Sequence, residues 1–311
     1  NYLFYRSSDF VKLKEVLIMV LVIAENIHVI SPRIKEAIKN RDAKTIQEIA
    51  IKSQEMGADY IDLNIGPASK EGPAIMEWIV KTVQDVSSLP LFLDTLNVEA
   101  IETGLKLCKQ KAVINSISCI PERMDVLFPL VQKYNAGCVC LLISAQGLPR
   151  DNDERGMLAA DLIGKAMEYD VPNEDLWFDP FTPPIAFQQD TVKATIESVA
   201  MFEEMAPGCK TTCGLSNVSN GVPKELRDIL NRTMLIMLKR NGLTSAISDA
   251  FDEKILAISK DKQADLEQIV WQVMDGAELS MSSLTPEQVE YVKTARVLLG
   301  HKLFSPSWLS E

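Results

Sequence analysis

The sequence predicts an α/β fold, a (β/α)8 barrel with additional C-terminal helices. Two observations lead to this prediction. From residue 20 onward, short runs rich in β-branched residues alternate with longer segments whose apolar residues recur at helical spacing, which is the pattern of βα units. There are about eight such runs, and eight strands are what a closed barrel of this type requires. With 311 residues, 47% of them hydrophobic, the chain is long and apolar enough to fill such a core.

The eight candidate strands are short and apolar. They are VLVIAE (20–25), DYIDLNI (59–65), LFLD (91–94), AVINS (112–116), CVCLLIS (138–144), LWFDP (176–180), KTTCGLS (210–216) and TSAIS (244–248). The first lies in an apolar run that follows two lysines, as in a signal peptide. The run, 16–24, is too short to span a bilayer, and no small-residue cleavage site follows it. We therefore expect a buried strand that ends at Glu25, and no membrane segment.

The segments between strands have the spacing of amphipathic helices. After the second strand, for example, Ile75, Ile79 and Val83 fall on one helical face. Gly57 and Gly137 precede strands and are expected to stop helices. Past the last strand, 252–260 is predicted to be the eighth barrel helix, and two more helices follow at 265–274 and 285–300.

These elements suggest three parts of the chain. Residues 1–19 are expected to be a leader or an appended segment, 20–257 the barrel, and 258–311 a helical extension that packs on the barrel. The extension has three open interpretations: a cap over the barrel bottom, a dimer face, or a docking surface for a partner.

Composition argues against several classes of function. The net charge of −11 opposes binding to phosphate backbones, so no nucleic-acid partner is expected. Several of the six cysteines lie in apolar runs, where a reduced thiol packs as a small hydrophobe, which favours a cytoplasmic location. Only two histidines are present, His28 and His301, and the cysteine spacing is not that of a zinc site, so no protein-bound metal is expected.

Polar side chains recur where the strands end, which is where barrels of this type hold their active sites. They are Glu25, Asn26, Asp62, Asn64, Asp94, Asn97, Asn115, Ser144, Asp179, Asn217 and Asp249. Carboxylates and amides suit a neutral heterocycle that presents both donors and acceptors, such as the 2-amino-4-oxo edge of a pterin.

The alternative is that these residues form turns or cap helices, as Asp and Asn often do after strands. We favour this alternative for Asn97 and Asp249. For Asp94, Asn115, Asp179 and Asn217 we favour a ligand site, because the same chemistry recurs at four separate strand ends.

Six motifs in order, DLNIGPA, FLDTLN, AVINSIS, WFDP, GLSNVSNG and LNRTML…NGLTSAISDA, resemble those of the methyltetrahydrofolate:corrinoid-protein methyltransferases. That family belongs to the pterin-binding barrel superfamily, with dihydropteroate synthase and the folate domain of cobalamin-dependent methionine synthase. The resemblance covers about residues 20–257. It implies a TIM barrel, a homodimer, that binds tetrahydrofolate or methyltetrahydrofolate as substrate and exchanges a methyl group with cobalamin carried by a separate corrinoid protein.

The resemblance also assigns roles to residues. Its pterin-binding positions fall on Asp94, Asn115 and Asp179, with Asp62 and Asn64 on the neighbouring strand, and its catalytic asparagine, which also binds the pterin, falls on Asn217. It adds Arg227 to the substrate site, for which a salt bridge within a helix is the alternative. Asn217 is expected to bond the pterin nitrogen that bears the methyl group, while the proton comes from solvent or from a water held by Asp62 or Asp94.

Three departures from the family pattern are visible: a longer segment between Asn220 and Arg227, AENIH after the first strand, and the C-terminal extension. Two other functions stay open, a dihydropteroate synthase-like enzyme and a non-catalytic pterin-binding subunit of a demethylase system. The first is disfavoured because SNVSN replaces the basic residues that such synthases carry there. Lys70, Arg150, Arg155 and Lys224 are either contacts for the folate glutamate tail or solvated surface charges.

Overall fold

Eight parallel strands form a single sheet in the computed structural model of the protein, which describes residues 19–67 and 70–310. The strands are β1 Leu21–His28, β2 Tyr60–Gly66, β3 Leu91–Thr95, β4 Val113–Cys119, β5 Gly137–Ser144, β6 Leu176–Asp179, β7 Lys210–Thr211 and β8 Ser245–Ser248. Each pairs with the next in the chain from β1 to β7, and β1 also pairs with β8. The predicted (β/α)8 barrel is confirmed. The predicted leader falls almost wholly on residues 1–18, outside the described residues.

Helices cover the outside of the barrel. They are α1 Pro32–Asn40, α2 Ala43–Met56, α3 Gly72–Gln84, α4 Val98–Leu107, α5 Pro121–Tyr134, α6 Asn152–Glu168, α7 Ile185–Met205, α8 Arg227–Arg240, α9 Glu253–Ser259, α10 Ala264–Met274 and α11 Pro286–Leu298. Short 3₁₀ helices also occur, and the one at Leu215–Ser219 carries Asn217. No helix in the two described ranges is both long enough and apolar enough to cross a membrane.

The barrel closes between β7 and β8 with few strand hydrogen bonds, because β7 has only two residues. Beyond it, Gly214 and Ile247 form an isolated parallel bridge, and the Ile247 N–H donates to the Cys213 carbonyl at 2.9 Å. The hydroxyls of Thr211 and Thr244 each bond to the other residue's backbone N–H. Side-chain bonds thus replace part of the strand ladder at the seam.

Some element ends differ from the prediction. β1 does not end at Glu25 but continues to His28, through a register shift against β2 between Ala24 and Ile27. Gly57 does stop α2, with φ of 93°. Gly137 does not stop α5, since Asn135 takes the left-handed conformation there. Gly137 instead begins β5, where a Cβ atom would lie 3.0 Å from the Trp177 indole nitrogen.

Apolar side chains from several strands fill the barrel below its mouth. Ile23, Phe92, Val113, Val139, Trp177 and Ile247 form one buried cluster, with Tyr60 packed against it. The rings of Tyr60, Phe92 and Trp177 contact one another edge to face at 5.2–5.4 Å. Side chains therefore fill the interior of the barrel, and a ligand can bind only at the mouth, beyond the C-terminal ends of the strands.

The C-terminal helices α10 and α11 pack against each other and against α8. Tyr291 and Trp308 are fully buried there, and the Trp308 indole N–H donates to the Thr294 hydroxyl at 3.0 Å. Thr285 caps α11 as predicted, in a capping box with Gln288. Beneath these helices the ammonium group of Lys239 on α8 is completely buried and bonds to Glu267 of α10.

Candidate active site

The polar residues of the mouth lie two positions beyond the apolar residues of the interior cluster. Because side chains of a strand alternate between its two faces, this step keeps them pointing inward. The pairs are Ile23 and Glu25, Tyr60 and Asp62, Phe92 and Asp94, Val113 and Asn115, Trp177 and Asp179, and Ile247 and Asp249. Apolar packing within the barrel therefore positions the polar groups at its mouth.

Four of the predicted residues form hydrogen-bonded pairs across neighbouring strands. The Asn115 amide donates to Asp62 at 3.1 Å, and the Asn64 amide donates to Asp94. Asp94 is paired in register with Asn64 of β2 and with Asn115 of β4. Asp62, Asn64, Asp94 and Asn115 thus form one cluster on β2, β3 and β4.

Asp179 and Asn217 lie on the other side of the mouth and are linked through Gly214. One oxygen of Asp179 accepts the Phe181 N–H at 2.8 Å, and the carboxylate also accepts from the Gly214 N–H. The backbone N–H of Asn217 donates to the Gly214 carbonyl at 3.2 Å, and its side-chain amide nitrogen lies close to Gly214. The Asn217 side chain makes no hydrogen bond within the described residues, so its amide is available to a ligand.

Burial raises the pKa values of four carboxyl groups at the mouth, those of Glu25, Asp62, Asp94 and Asp179. Desolvation is the main cause for each, and it raises the pKa of Asp94 to about 6 and that of Asp179 to about 7. The pKa of Asp62 lies well above its ordinary value, because the nearby charge of Asp94 adds to desolvation. Arg123 is the cation whose charge counters this for Asp94. A ligand that donates hydrogen bonds would stabilise the ionised forms.

These shifts predict how the stability of the ligand-free protein depends on pH. A raised carboxyl pKa means that the folded state binds more protons than the unfolded state between about pH 4 and pH 7. The free energy of unfolding should therefore fall as the pH rises through this window. We expect a lower thermal midpoint at pH 8 than at pH 5.5, measured by circular dichroism. An equal or higher midpoint at pH 8 would contradict the prediction. Surface carboxyls with a lowered pKa, such as Glu102, change the stability of the protein only at more acidic pH.

Glu25 is a mouth residue that our assignment of ligand contacts omitted. Its carboxyl oxygen accepts a hydrogen bond from the Ser216 hydroxyl at 3.2 Å, next to Asn217 in the chain. Burial, with a smaller contribution from Asp249, raises the pKa of Glu25 to about 7. The signal was present in the sequence, because Glu25 stands at the same two-residue step from an interior residue as Asp94 does.

A cavity of about 900 Å³ opens beside Glu25 and Ser216, between the starts of α8 and α9. Lys224 and Arg227 lie along it, whereas Asp62, Asp94, Asn115, Asp179 and Asn217 do not line it. We place the candidate site at the strand ends rather than in this cavity, since hydrogen bonds and alternation bring the polar groups together there. Arg227 is exposed and donates to the Val222 carbonyl at 2.8 Å. It forms no ion pair within the described residues, so the helix salt bridge is not observed.

Two residues that we assigned to turns or caps do have those roles. The Asn97 side chain accepts from the Ala100 N–H at 3.0 Å and caps α4. Asp249 accepts from the Phe251 N–H at 2.8 Å and from the Asn26 amide.

Arg155 is not a solvated surface charge, contrary to one of our two interpretations. Its side chain is 1% exposed and lies between α6 and α7. It donates to the Pro180 carbonyl, directly after Asp179, at 3.4 Å and to the Thr195 hydroxyl at 3.0 Å. Arg155 therefore anchors the loop that carries Asp179, which the spacing of charges in the sequence could not reveal.

Within residues 19–67 and 70–310, no group of three or more His, Cys, Asp and Glu side chains is arranged to hold a metal ion. All six cysteines are free thiols, and five of them are buried. Burial raises the pKa of Cys213 above its usual range. The cysteines thus pack as apolar side chains, as the sequence indicated.

Comparisons with known proteins show the family of the chain. The family model described as "Pterin binding enzyme" matches residues 31–249, well over half of the chain. The chain is 27% identical over 234 residues to the methylcorrinoid:tetrahydrofolate methyltransferase of Eubacterium limosum, covering 74% of this chain and 84% of that protein. It is 29% identical over 252 residues to methionine synthase of Mycobacterium leprae, covering 78% of this chain but only 21% of that protein.

Solved structures with the same fold include dihydropteroate synthases. That of Thermus thermophilus matches with a TM-score of 0.58 at 18% identity, covering 79% of this chain and 93% of that chain. The enzyme from Xanthomonas albilineans in complex with 7,8-dihydropteroate matches with a TM-score of 0.57 at 14% identity, covering 84% and 94%. At these identities the likeness concerns the fold alone.

Proposed function

Because the chain belongs to the pterin-binding enzyme family, we propose that it transfers a methyl group between tetrahydrofolate and the cobalt of a corrinoid carried by a separate protein. The observation that carries the proposal is the set of buried and half-buried carboxyls and amides at the barrel mouth. Arg123 is the cation that counters the raised pKa of Asp94 there. The name of the Eubacterium limosum relative supports this reaction class over others known for the fold.

The pterin would bind through its hydrogen-bonding edge. Its amino group and ring N–H are donors, and the carboxylates of Asp94 and Asp179 are acceptors. Burial disfavours their ionised forms in the free protein, so hydrogen bonds from a ligand would stabilise them. The Asn115 amide supplies a donor and an acceptor next to Asp94. Two backbone N–H groups hold Asp179 in place, so little ordering is needed when the ligand arrives.

Asn217 would act on the nitrogen that carries the methyl group. In transfer away from folate that nitrogen must become cationic before it is a good leaving group. The side-chain amide oxygen of Asn217 accepts a hydrogen bond from the protonated nitrogen and stabilises the charged state. The corrinoid supplies a cobalt centre that accepts or donates the methyl group. The chain contributes alignment of the methyl group for in-line transfer, and it contributes hydrogen bonds that strengthen as charge develops.

A direct assay tests the proposal. The protein is mixed anaerobically with 5-methyltetrahydrofolate and free cob(I)alamin, and the visible spectrum is followed for conversion to methylcobalamin. The reverse mixture contains methylcobalamin and tetrahydrofolate. Conversion in either direction supports the proposal, with Asn217→Ala as the variant that should be slow.

Two other outcomes correspond to other functions. Condensation of a pterin pyrophosphate with 4-aminobenzoate would show a dihydropteroate synthase-like enzyme, which the fold likeness permits but the uncharged segment 216–220 disfavours. Folate binding without transfer, even with cognate corrinoid proteins, would show a non-catalytic pterin-binding subunit.

Asp179→Asn should weaken folate binding more than it slows transfer at saturating folate. The change replaces an acceptor with a donor that faces the pterin amino group, so we expect affinity to fall about 10- to 100-fold. Wild-type affinity should also decline as the pH falls below about 7, because Asp179 then becomes protonated. The variant should lose this step and keep only the decline at lower pH that comes from Asp94, whose pKa is about 6. Equilibrium fluorescence titration measures both effects.

The matched control for this change is Asp170→Asn. Asp170 is exposed after α6, and its φ of 54° is one that Asn tolerates well. Its folate affinity should equal that of the wild type. An unchanged affinity in Asp179→Asn would remove Asp179 from the binding site.

A further inference from the structure

Glu25 is placed where a proton is needed, if the proposed function holds. The Ser216 hydroxyl donates to its carboxyl oxygen at 3.2 Å, and Ser216 directly precedes Asn217 in the same 3₁₀ helix. An amide cannot supply a proton, so Asn217 needs an acid elsewhere. Asp62 and Asp94, which we expected to hold the water that provides it, accept hydrogen bonds from Asn115 and Asn64, whereas Glu25 accepts its hydrogen bond from Ser216, next to Asn217.

We infer that Glu25 is the acid that exchanges a proton with the pterin nitrogen through the hydroxyl of Ser216. This inference rests on the proposed methyl transfer. A hydroxyl both accepts and donates, so Ser216 can accept a hydrogen bond from a protonated Glu25 and turn its own hydrogen toward the Asn217 side. Glu25 acts through Ser216 and does not touch the reacting atoms itself.

The proton and the electron pairs balance in both directions. In transfer from 5-methyltetrahydrofolate, the Glu25 carboxyl loses its proton, which protonates the methylated nitrogen through Ser216. The carbon–nitrogen bond then breaks, its electron pair stays on nitrogen, and cob(I)alamin forms the new cobalt–carbon bond with its own pair. In reverse, the nitrogen of tetrahydrofolate attacks the methyl group of methylcobalamin, and its surplus proton passes to the Glu25 carboxylate.

The cavity beside Glu25 provides a route by which solvent can restore the proton. Its volume of about 900 Å³ admits water, and Lys224 and Asp252 are among the residues that line it. Two of the residues that line it, Ser248 and Asn231, each have a buried side-chain oxygen with no hydrogen-bond partner within the described residues. Groups of this kind are usually satisfied by water or ligand, so they indicate a hydrated path that ends at Glu25.

The charged and titratable groups around Glu25 explain why it can hold a proton near neutral pH. Burial is the main cause, and Asp249 adds to it. The groups that face Glu25 from neighbouring elements, or share a cavity with it, are Asp62, Cys213, Asp249, His28, Arg33, Lys224, Arg227, Asp228, Arg232, Asp252, Glu253 and Lys254. No cation forms an ion pair with Glu25 within the described residues.

The test is the pH dependence of transfer at saturating folate, in both directions, for the wild type and Glu25→Gln. Glutamine keeps the size of the side chain and still accepts from Ser216, so folding and folate affinity should be retained. The wild-type rate from 5-methyltetrahydrofolate should fall as the pH rises through about 7, and the reverse rate should rise. In Glu25→Gln both rates should drop about 10²- to 10⁴-fold, and the inflection near pH 7 should disappear.

Two further variants separate this role from a structural one. Asp249→Asn should move the inflection to lower pH without removing it, because it takes away a charge that raises the pKa of Glu25. Ser216→Ala should lower the rate at every pH with little loss of folate affinity. If the wild type transfers methyl groups and Glu25→Gln keeps the same profile, the inference is wrong while the proposed function stands. If the wild type transfers none, the function itself fails.

Discussion

Replacing Asn217 with alanine should lower the rate of methyl transfer about 10²- to 10³-fold, the range seen when one preorganised hydrogen-bonding group is removed from a charge-stabilising site. Folate affinity should change by less than about 10-fold, because a hydrogen bond to a neutral ligand adds little to binding. The difference arises because the bond strengthens only when the pterin nitrogen becomes charged.

The position of Asn217 makes this an informative substitution. The backbone N–H of Asn217 donates a hydrogen bond to the Gly214 carbonyl. A side chain at position 214 would crowd Asn217, because a Cβ atom added to Gly214 would lie 3.1 Å from the Asn217 side-chain nitrogen. The side chain therefore lies against the backbone and has no hydrogen bond within the described residues. Removing it therefore breaks no side-chain hydrogen bond among the described residues.

The measurement is single-turnover transfer together with equilibrium folate binding. Asn220→Ala is the matched control, since it removes the same amide from an exposed position three residues further along. It should leave both quantities within about threefold of wild type, as expected for surface changes. Equal losses of rate and affinity in Asn217→Ala would mean that Asn217 only binds the pterin.

The fold was predictable because its signal is repeated. Eight short apolar runs and the polar residues at their ends all indicate the same barrel, and errors at single elements do not alter that conclusion. The resemblance to the pterin-binding superfamily, inferred from six motifs in order, is confirmed by the family match. The site residues stay predictions, although the structure places Asp62, Asn64, Asp94 and Asn115 in one hydrogen-bonded cluster.

Features set by tertiary contacts were not predictable. β1 runs past Glu25 because a register shift lets it continue along β2, and no local residue preference encodes that shift. β7 shrinks to two residues because Thr211 and Thr244 exchange side-chain bonds at the seam. Arg155 is buried because two distant partners, Pro180 and Thr195, accept its hydrogen bonds. Each outcome depends on a residue far away in the chain.

Replacing Lys239 with methionine should cost about 3–5 kcal/mol of unfolding free energy, the typical loss when one partner of a buried ion pair is removed. The Lys239 ammonium is 0% exposed and donates to both oxygens of Glu267, at 3.0 and 2.8 Å, and to Asp261 at 2.7 Å. Without it, Glu267 is left buried with no cation beside it. Lys81→Met is the matched control, because its ion pair with Glu77 is exposed and should contribute no more than about 1 kcal/mol.

The cause of the loss can be tested with pH and with a second substitution. Burial raises the pKa of Glu267, and Lys239 lowers it, so the variant should leave Glu267 protonated over a wider pH range. The deficit relative to wild type should then be larger at pH 8 than at pH 5. In the double variant Lys239→Met, Glu267→Leu no buried charge is stranded, and most of the lost stability should return. If the loss of unfolding free energy does not depend on pH and persists in the double variant, its cause is poor packing rather than a buried unpaired charge.

The same experiment tests how the C-terminal helices relate to the barrel. Lys239 lies on α8, a barrel helix, whereas Glu267 lies on α10, beyond the predicted boundary at residue 257. The chain has two tryptophans in the barrel, Trp78 and Trp177, and two in the extension, Trp271 and Trp308. Urea denaturation followed by far-UV circular dichroism, and by the fluorescence of variants that keep either the barrel pair or the extension pair, separates two cases. If the barrel and the extension unfold as one unit, both signals should shift together in Lys239→Met, because the buried ion pair couples the two parts. An earlier transition confined to Trp271 and Trp308 would mean that the extension detaches first, and that the barrel does not require it.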